Sequence, residues 1–202
     1  VIGALVLLWR LAAGLDEAAG REALRAGRYE EASRRLEPAM AVAPSYDGLV
    51  TLGLACGRLG RSEAAAAAFE RALALDPARP EAWLERGGLR FLGKDYAAAV
   101  ADLRRSLALR EDPYARELLA ASLHLAGRWE EALAEWNELG QPRLRRLEIQ
   151  GLAHTKDRVA RRELTLQEGG LLGVESLRES RLRLREVGVF ERVTLRPTPL
   201  GD

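Results

Sequence analysis

The sequence is short of the residue types that carry most enzyme chemistry. Its 202 residues include one cysteine, Cys56, one methionine, Met40, and two histidines, His124 and His154. A lone cysteine excludes an internal disulfide and leaves the redox compartment open. No His/Cys cluster has metal-ligand spacing, so each histidine reads as a surface or half-buried residue and Cys56 as a small core residue. Neither sign of charge dominates. Lys and Arg number 31 against 30 Asp and Glu, a formal charge of +1, which gives no whole-chain attraction to nucleic acid or acidic lipid. Lysine is nearly missing: Lys94 and Lys156 are the only two, and the arginine excess reads as the base composition of the source genome. No apolar run reaches the ~20 residues that span a bilayer. Residues 168–173 are glycine-rich but fit neither a phosphate loop nor a dinucleotide fingerprint. The Arg-rich stretches at 143–146 and 181–185 alternate with apolar residues and read as solvated faces. No catalytic constellation is present, so an enzyme is not expected, and neither is a metal, a cofactor or a nucleic-acid partner.

What is present is a globular composition, 48% apolar and 30% charged, long enough for one or two domains. The chain opens Val1-Ile-Gly-Ala-Leu-Val-Leu-Leu-Trp9, lacks an initiator methionine and reads as starting within a longer frame. Residues 1–12 are read as an apolar signal or anchor remnant. They fit the core of a signal peptide with Ala12-Ala13-Gly14 as the cleavage region, although Arg10 interrupts that pattern. They also fit the tail of a membrane anchor, or a helix buried against the helical segments downstream.

From residue 13 the chain repeats itself. Gly27-Arg-Tyr29-Glu-Glu-Ala32, Gly60-Arg-Ser62-Glu-Ala-Ala65, Lys94-Asp-Tyr96-Ala-Ala-Ala99 and Gly127-Arg-Trp129-Glu-Glu-Ala132 are one turn written four times, at intervals of 33 or 34 residues. The four alanines are small where two helices cross, and Gly20, Gly53, Gly87 and Ala120 do the same in the preceding helices. Leu36, Phe69, Leu103 and Trp136 supply apolar bulk in the second helices, and Leu52 and Trp83 in the first. Pro44 and Pro77 follow second helices as helix-ending prolines should. Period and residues together resemble the tetratricopeptide repeat, and imply four helical hairpins over residues 13–140.

A hairpin with one apolar face must stack on its neighbours, so such repeats build a solenoid with a concave inner surface. The resemblance implies that first-helix residues line that surface, here Val50, Leu54, Leu84, Phe91, Leu92, Tyr114, Glu117, His124 and Leu125. A lining this apolar points to a partner, unless the N-terminal helix or the C-terminal domain fills it. The Lys/Asn/Arg set that grips a C-terminal carboxylate in chaperone-binding tetratricopeptide proteins is not matched.

After Gly140-Gln-Pro142 the pattern changes. Leu147 and Ile149 alternate with Glu148 and Gln150 as in a half-buried strand, stopped by Gly151. Thr155 is the expected N-cap of a short helix reaching Glu163. A second helix is expected from Val174 to Val187, with Leu177, Leu184 and Val187 on one stripe, small Ser180 between them, and Gly188 as its left-handed cap. Val193 and Leu195 then alternate with Arg192, Thr194 and Arg196 in a second strand, ended by Pro197. The matching residues run Ile149, Gly151, Thr155, Val159, Arg161, Arg162, Glu163, Leu164, Leu166, Gly169, Leu177, Ser180, Arg181, Leu184, Gly188, Phe190 and Val193. In that order they resemble a POTRA domain, nearest to those of the BamA/TamA outer-membrane assembly family. Gly170 stands where that family has an acidic residue. The family's third strand would follow residue 196, so residues 143–202 read as a truncated POTRA-like domain of order β-α-α-β.

The expected fold is therefore mainly α, a tetratricopeptide solenoid followed by a small α+β domain. The resemblance implies a periplasmic, outer-membrane-associated module whose partners are unfolded outer-membrane proteins or accessory envelope proteins, with a membrane β-barrel expected beyond residue 202. The edge Val193-Thr194-Leu195 would take an extended client by strand addition. The alternative is a membrane-anchored scaffold for envelope or cell-division complexes without a barrel.

Overall fold

A computed structural model describes the backbone of residues 2–152, 154–190 and 192–195, and side chains from residue 12 onward. Ten helices follow one another among these residues: α1 (Ile2–Arg25), α2 (Tyr29–Val42), α3 (Tyr46–Arg58), α4 (Ser62–Leu75), α5 (Pro80–Leu92), α6 (Tyr96–Leu109), α7 (Pro113–Leu125), α8 (Trp129–Glu138), α9 (Asp157–Glu163) and α10 (Val174–Glu186). Helix α1 is continuous across the expected boundary at residue 12. The chain divides into two compact units, Val1–Ala126 and Gly127–Asp202. The division falls inside the fourth hairpin rather than at residue 140.

In the first unit the repeated turn has one backbone solution. Gly27 and Gly60 take φ of +72° and +74°. The N–H of the next residue then reaches back to the helix before it: Arg28 to Ala23 at 2.8 Å, and Arg61 to Cys56 at 2.9 Å. This is the left-handed helix stop that glycine adopts without a Cβ penalty. Lys94 occupies the same position at φ 63°, where an L side chain is strained.

Hairpin packing follows from the small residues. A Cβ built on Gly20 would lie 2.5 Å from Leu36 Cγ, one on Gly53 2.5 Å from Phe69 Cε1, and one on Gly87 2.9 Å from Leu103 Cγ. Each first-helix glycine is thus filled by the large second-helix residue that the repeat pairs with it, and Ala32, Ala65 and Ala99 are fully buried between the helices. Along the stack, first helices touch one another, α1 with α3, α3 with α5 and α5 with α7, whereas among the described residues α2, α4 and α6 do not. The first helices therefore form the inner layer. Polar groups tie successive hairpins. The Tyr46 hydroxyl accepts from the Ala82 N–H at 2.9 Å, the Arg79 guanidinium lies 4.0 Å from its ring centre, and Arg71 donates to the Met40 carbonyl at 2.7 Å. Within the third hairpin, buried Asp102 accepts two hydrogen bonds of 2.8 Å from Arg86 and one of 2.7 Å from Arg90.

The second unit uses α8 as a wall. Leu133 of α8 shares a core with Leu166, Leu172 and Leu177, flanked by Trp129, Leu144, Val174 and Leu195. The Asn137 amide donates to the carbonyls of Gln141 (2.8 Å) and Leu172 (2.9 Å), and its oxygen accepts from the Val174 N–H at the start of α10 (3.1 Å). Glu130 lies 3.7 Å from both Arg178 and Arg181 of α10.

The expected β-α-α-β order is met in its helices and not in its strands. Helix α10 buries Leu177, Ser180 and Leu184 as anticipated. It ends at Glu186, one residue early, and Gly188 follows at φ +70°. The Ser180 hydroxyl accepts from the Thr165 N–H at 3.0 Å, which seats the segment after α9 on this helix. Helix α9 starts one residue later than expected, with Lys156 rather than Thr155 at its N-cap and no side-chain cap bond. Neither 147–150 nor 193–195 joins a ladder among the described residues. The one bridge there is antiparallel, Arg143 with Leu171, supported by Leu144 N–H to Gly170 O (2.8 Å), Gly169 N–H to Leu144 O (2.7 Å) and Leu172 N–H to Pro142 O (2.8 Å). Pairing thus begins at 142–144 and stops short of Leu147. Beyond it the Leu147 N–H donates to the Glu168 carboxylate at 2.7 Å rather than to another strand. Residues 196–202, which include the expected end of the second strand, lie outside the described residues.

Candidate protein-binding surfaces

All the groove residues read from the sequence sit on first helices of the first unit: Val50 and Leu54 on α3, Leu84, Phe91 and Leu92 on α5, and Tyr114, Glu117, His124 and Leu125 on α7. They do not contribute equally. Val50 and Leu54 are half-buried and pack on the core. Phe91 meets the Tyr96 ring edge-on at 5.8 Å, so much of its face is already covered. Leu92, Tyr114 and Leu125 are the open apolar surface, at 78%, 65% and 52% exposure. Glu117 and His124 are exposed beside them.

Sequence reasoning passed over Glu85, which lies between the groove residues Leu84 and Phe91. Burial pushes its carboxyl pKa up, against the opposing field of Arg58 on α3. A half-buried carboxylate on this layer gives the surface a negative point amid apolar residues. Its signal in the sequence was weak, because an acidic residue in a helix rich in charge reads as solvated. Gly88, one turn further on, has only Leu118 Cδ2 near a would-be Cβ, at 3.8 Å, so packing does not require a glycine there.

The second unit offers a different surface. Segment 145–150 alternates exposed Arg146, Glu148 and Gln150 with half-buried Leu147 and Ile149, the burial rhythm of a strand without its ladder. An open hollow of about 610 Å³ runs along it, lined by residues 145–150 with Asp157, Arg161 and Glu168. Residues 192–195 show the same rhythm, with Val193 and Leu195 half-buried and Arg192 and Thr194 exposed; Leu195 packs on the unit's core. Cys56 is buried and free, its Sγ 3.8 Å from the Ser33 hydroxyl. Among the described residues no group of His, Cys, Asp or Glu could hold a metal ion.

The tetratricopeptide repeat family model matches residues 17–80 and again 50–115. Residues 17–115 carry tetratricopeptide repeats. A second model, POTRA, described as a surface antigen variable number repeat, matches residues 142–202. Solved structures agree on the repeats. The MamA 41-end structure from Desulfovibrio magneticus RS-1 is 26% identical, with a TM-score of 0.57, covering 63% of this chain and 75% of its own. The thermophilic tetratricopeptide protein TTC0263 of Thermus thermophilus is also 26% identical, with a TM-score of 0.54, covering 61% and 70%. The tetratricopeptide domain of Arabidopsis OM64, at 20% identity and a TM-score of 0.54, covers 56% and 96% and shares the fold. No curated protein matches the chain. Tetratricopeptide repeats form protein–protein interaction modules, and their scaffolds are in general non-enzymatic. For this chain the repeats therefore imply a protein–protein interaction module.

Proposed function

We propose that the chain is a client-holding module of an outer-membrane protein assembly or translocation factor, working in the periplasm. It would grip extended or unfolded envelope proteins at two places, the tetratricopeptide groove and a strand edge of the POTRA-like unit. The observation that carries this reading is the pairing of two kinds of surface in one chain. One is an inner helical layer with large exposed apolar residues; the other is a POTRA-matched segment in which residues 147–150 and 193–195 join no ladder among the described residues. Apolar side chains take up exposed apolar segments with little sequence demand, and unpaired backbone takes up extended ones. Two weak sites on one chain reinforce each other through effective concentration. The edge expected at Val193, Thr194 and Leu195 belongs to this proposal.

The test is capture of a urea-unfolded porin diluted into buffer, read by crosslinking. Tyr114→Ala with Leu92→Asp should cut capture several-fold, and Thr194→Pro should do the same if 193–195 is the edge. Capture that neither change lowers would refute the client-holding reading. A second reading, a membrane-anchored repeat scaffold, draws on the unbroken run of α1 from Ile2 into the first repeat. Among the described residues no helix is long and apolar enough to cross a membrane. Flotation of the chain with vesicles of phosphatidylethanolamine and phosphatidylglycerol, abolished when residues 1–11 are removed, would favour that reading.

A further inference from the structure

Glu85 is left without a counter-charge in a chain rich in arginine. It is half-buried on α5, and among the described residues it alone of the sheltered carboxylates makes neither a hydrogen bond nor an ion pair. Others are engaged: Glu17 with Arg21, Glu81 with Arg110, Asp102 with Arg86 and Arg90, Glu163 with Arg162. The reason is local. Helical ion pairs form at spacings of three or four, and around Glu85 those positions hold Glu81, Ala82, Gly88 and Leu89. The arginines of its own helix, Arg86 and Arg90, are held by Asp102 at 2.8 and 2.7 Å. Arg58 of α3 acts on it through its field, without an ion pair. A sheltered charge lacking a counter-charge is costly, and a cation brought from outside relieves that cost. There is room for one. Gly88, one turn on, carries no side chain, and a Cβ there would meet only Leu118 Cδ2, at 3.8 Å. Leu92, two turns on, falls on the same stripe of α5 and is 78% exposed.

We infer that Glu85 is a subsite for a basic side chain of the bound segment, so that the tetratricopeptide layer selects segments in which a lysine or arginine stands among apolar residues. This rests on the client-holding reading above and names the class of segment its groove takes. Charge complementarity fixes the occupant. A lysine or arginine lays its aliphatic stem on apolar surface and extends its charged head beyond it, which suits a carboxylate set among Leu92, Tyr114 and Leu125. An acidic segment meets like charge at Glu85 and at exposed Glu117. A wholly apolar segment strips water from Glu85 and gives it no partner. Selection therefore comes from penalties on the wrong segments as well as from attraction to the right one. Because Glu85 is half-buried, salt screens the pair little.

The test measures binding of the full chain to three labelled peptides by fluorescence anisotropy. All three alternate leucine and serine, and they differ only in a central lysine, glutamine or glutamate. The lysine peptide should bind about tenfold tighter than the glutamine one, the scale of one charge-assisted hydrogen bond, and the glutamate peptide weakest of all. Glu85→Gln keeps the shape and removes the charge. It should bring the lysine and glutamine peptides to within about twofold of each other, because only exposed carboxylates then remain. Its affinity for the glutamine peptide should stay near the original and its thermal midpoint should not fall, which separates loss of the subsite from loss of the fold. Glu117→Gln should leave the lysine preference largely intact, which separates a subsite at Glu85 from the general charge of the layer. Equal binding of the three peptides, still weakened by Tyr114→Ala with Leu92→Ala, would leave client holding standing and sink the subsite. A lysine preference that survives Glu85→Gln would sink it as well. No binding of any peptide, or binding that the groove changes do not weaken, would sink both readings. Dimers of the chain that Glu85→Gln abolishes would reassign the occupant to a second copy.

Discussion

Four positions of the repeats show what a single side chain is worth here. Gly53 and Gly88 both lie inside first helices, yet they answer to different constraints. At Gly53 a Cβ would collide with the Phe69 ring at 2.5 Å, whereas at Gly88 it would make an ordinary 3.8 Å contact. Gly53→Ala should therefore destabilise by about 1–3 kcal/mol through overpacking, and Gly88→Ala should stabilise by about 0.5–1 kcal/mol through helix propensity. Opposite shifts in thermal midpoint would bear this out. Lys94 should gain from the reverse change. Left-handed backbone costs an L residue about 1–2 kcal/mol and glycine's lost freedom returns about half of that, so Lys94→Gly should raise the midpoint by about 2 °C. The Glu85 carboxyl has its own signature. Its folded pKa is raised by burial, so between the unfolded value and the folded one the native state binds the extra proton. In that window stability falls as pH rises. Glu85→Gln should remove that slope and raise the midpoint at pH 7; a melting series from pH 4 to pH 8 reads both effects.

At the scale of elements, α8 is the informative one. By sequence it is the second helix of the fourth repeat, with Ala132 at the crossing position and the Gly-Arg-Trp turn before it. By packing it supplies Leu133 to the core of the second unit and Asn137 to its loop closures. The segment matched as POTRA starts at residue 142, so the helix against which it folds lies outside the match. Asn137→Ala removes three hydrogen bonds and leaves the Leu172 carbonyl and the Val174 N–H without that partner, a loss of about 2–3 kcal/mol. Hydrogen exchange should accelerate over residues 142–177 and remain unchanged over α3 to α6. Uniform protection in the variant would show that the loops close without Asn137. The helices α9 and α10 and the left-handed Gly188 were legible from periodicity and capping alone. The strands were not. Alternation at Leu147 and Ile149 correctly reported which side chains are sheltered, but alternation describes burial, and a ladder needs a backbone partner. The Leu147 N–H donates instead to Glu168, 21 residues on, which no local pattern reveals.

For the whole molecule, the balance of charge sets the expected behaviour. With a net charge of +1 there is no long-range field to draw a client in. The surfaces proposed for binding are apolar side chains and backbone, so capture of unfolded porin should change less than about twofold between roughly 50 mM and 300 mM salt. A steep loss over that range would point instead to arginines such as Arg146 or Arg161 gripping acidic segments. Mutations in the groove and at Thr194 should weaken capture by more together than the sum of their separate effects if one client spans both sites.

The repeat architecture could be read without coordinates because its information is local and written four times. A period of 33 or 34, a left-handed residue at the turns, and a small residue facing a large one across each hairpin are short-range demands of helix geometry. The pairs Gly20 with Leu36, Gly53 with Phe69 and Gly87 with Leu103 followed directly. Other features existed only once the chain had folded. The field of Arg58 on Glu85 comes from another repeat, the place of α8 in a core from Leu166, Leu172 and Leu177, and the bond on the Leu147 N–H from Glu168. These are long-range matters, in which a residue's environment is set by segments that its own neighbours in sequence do not specify.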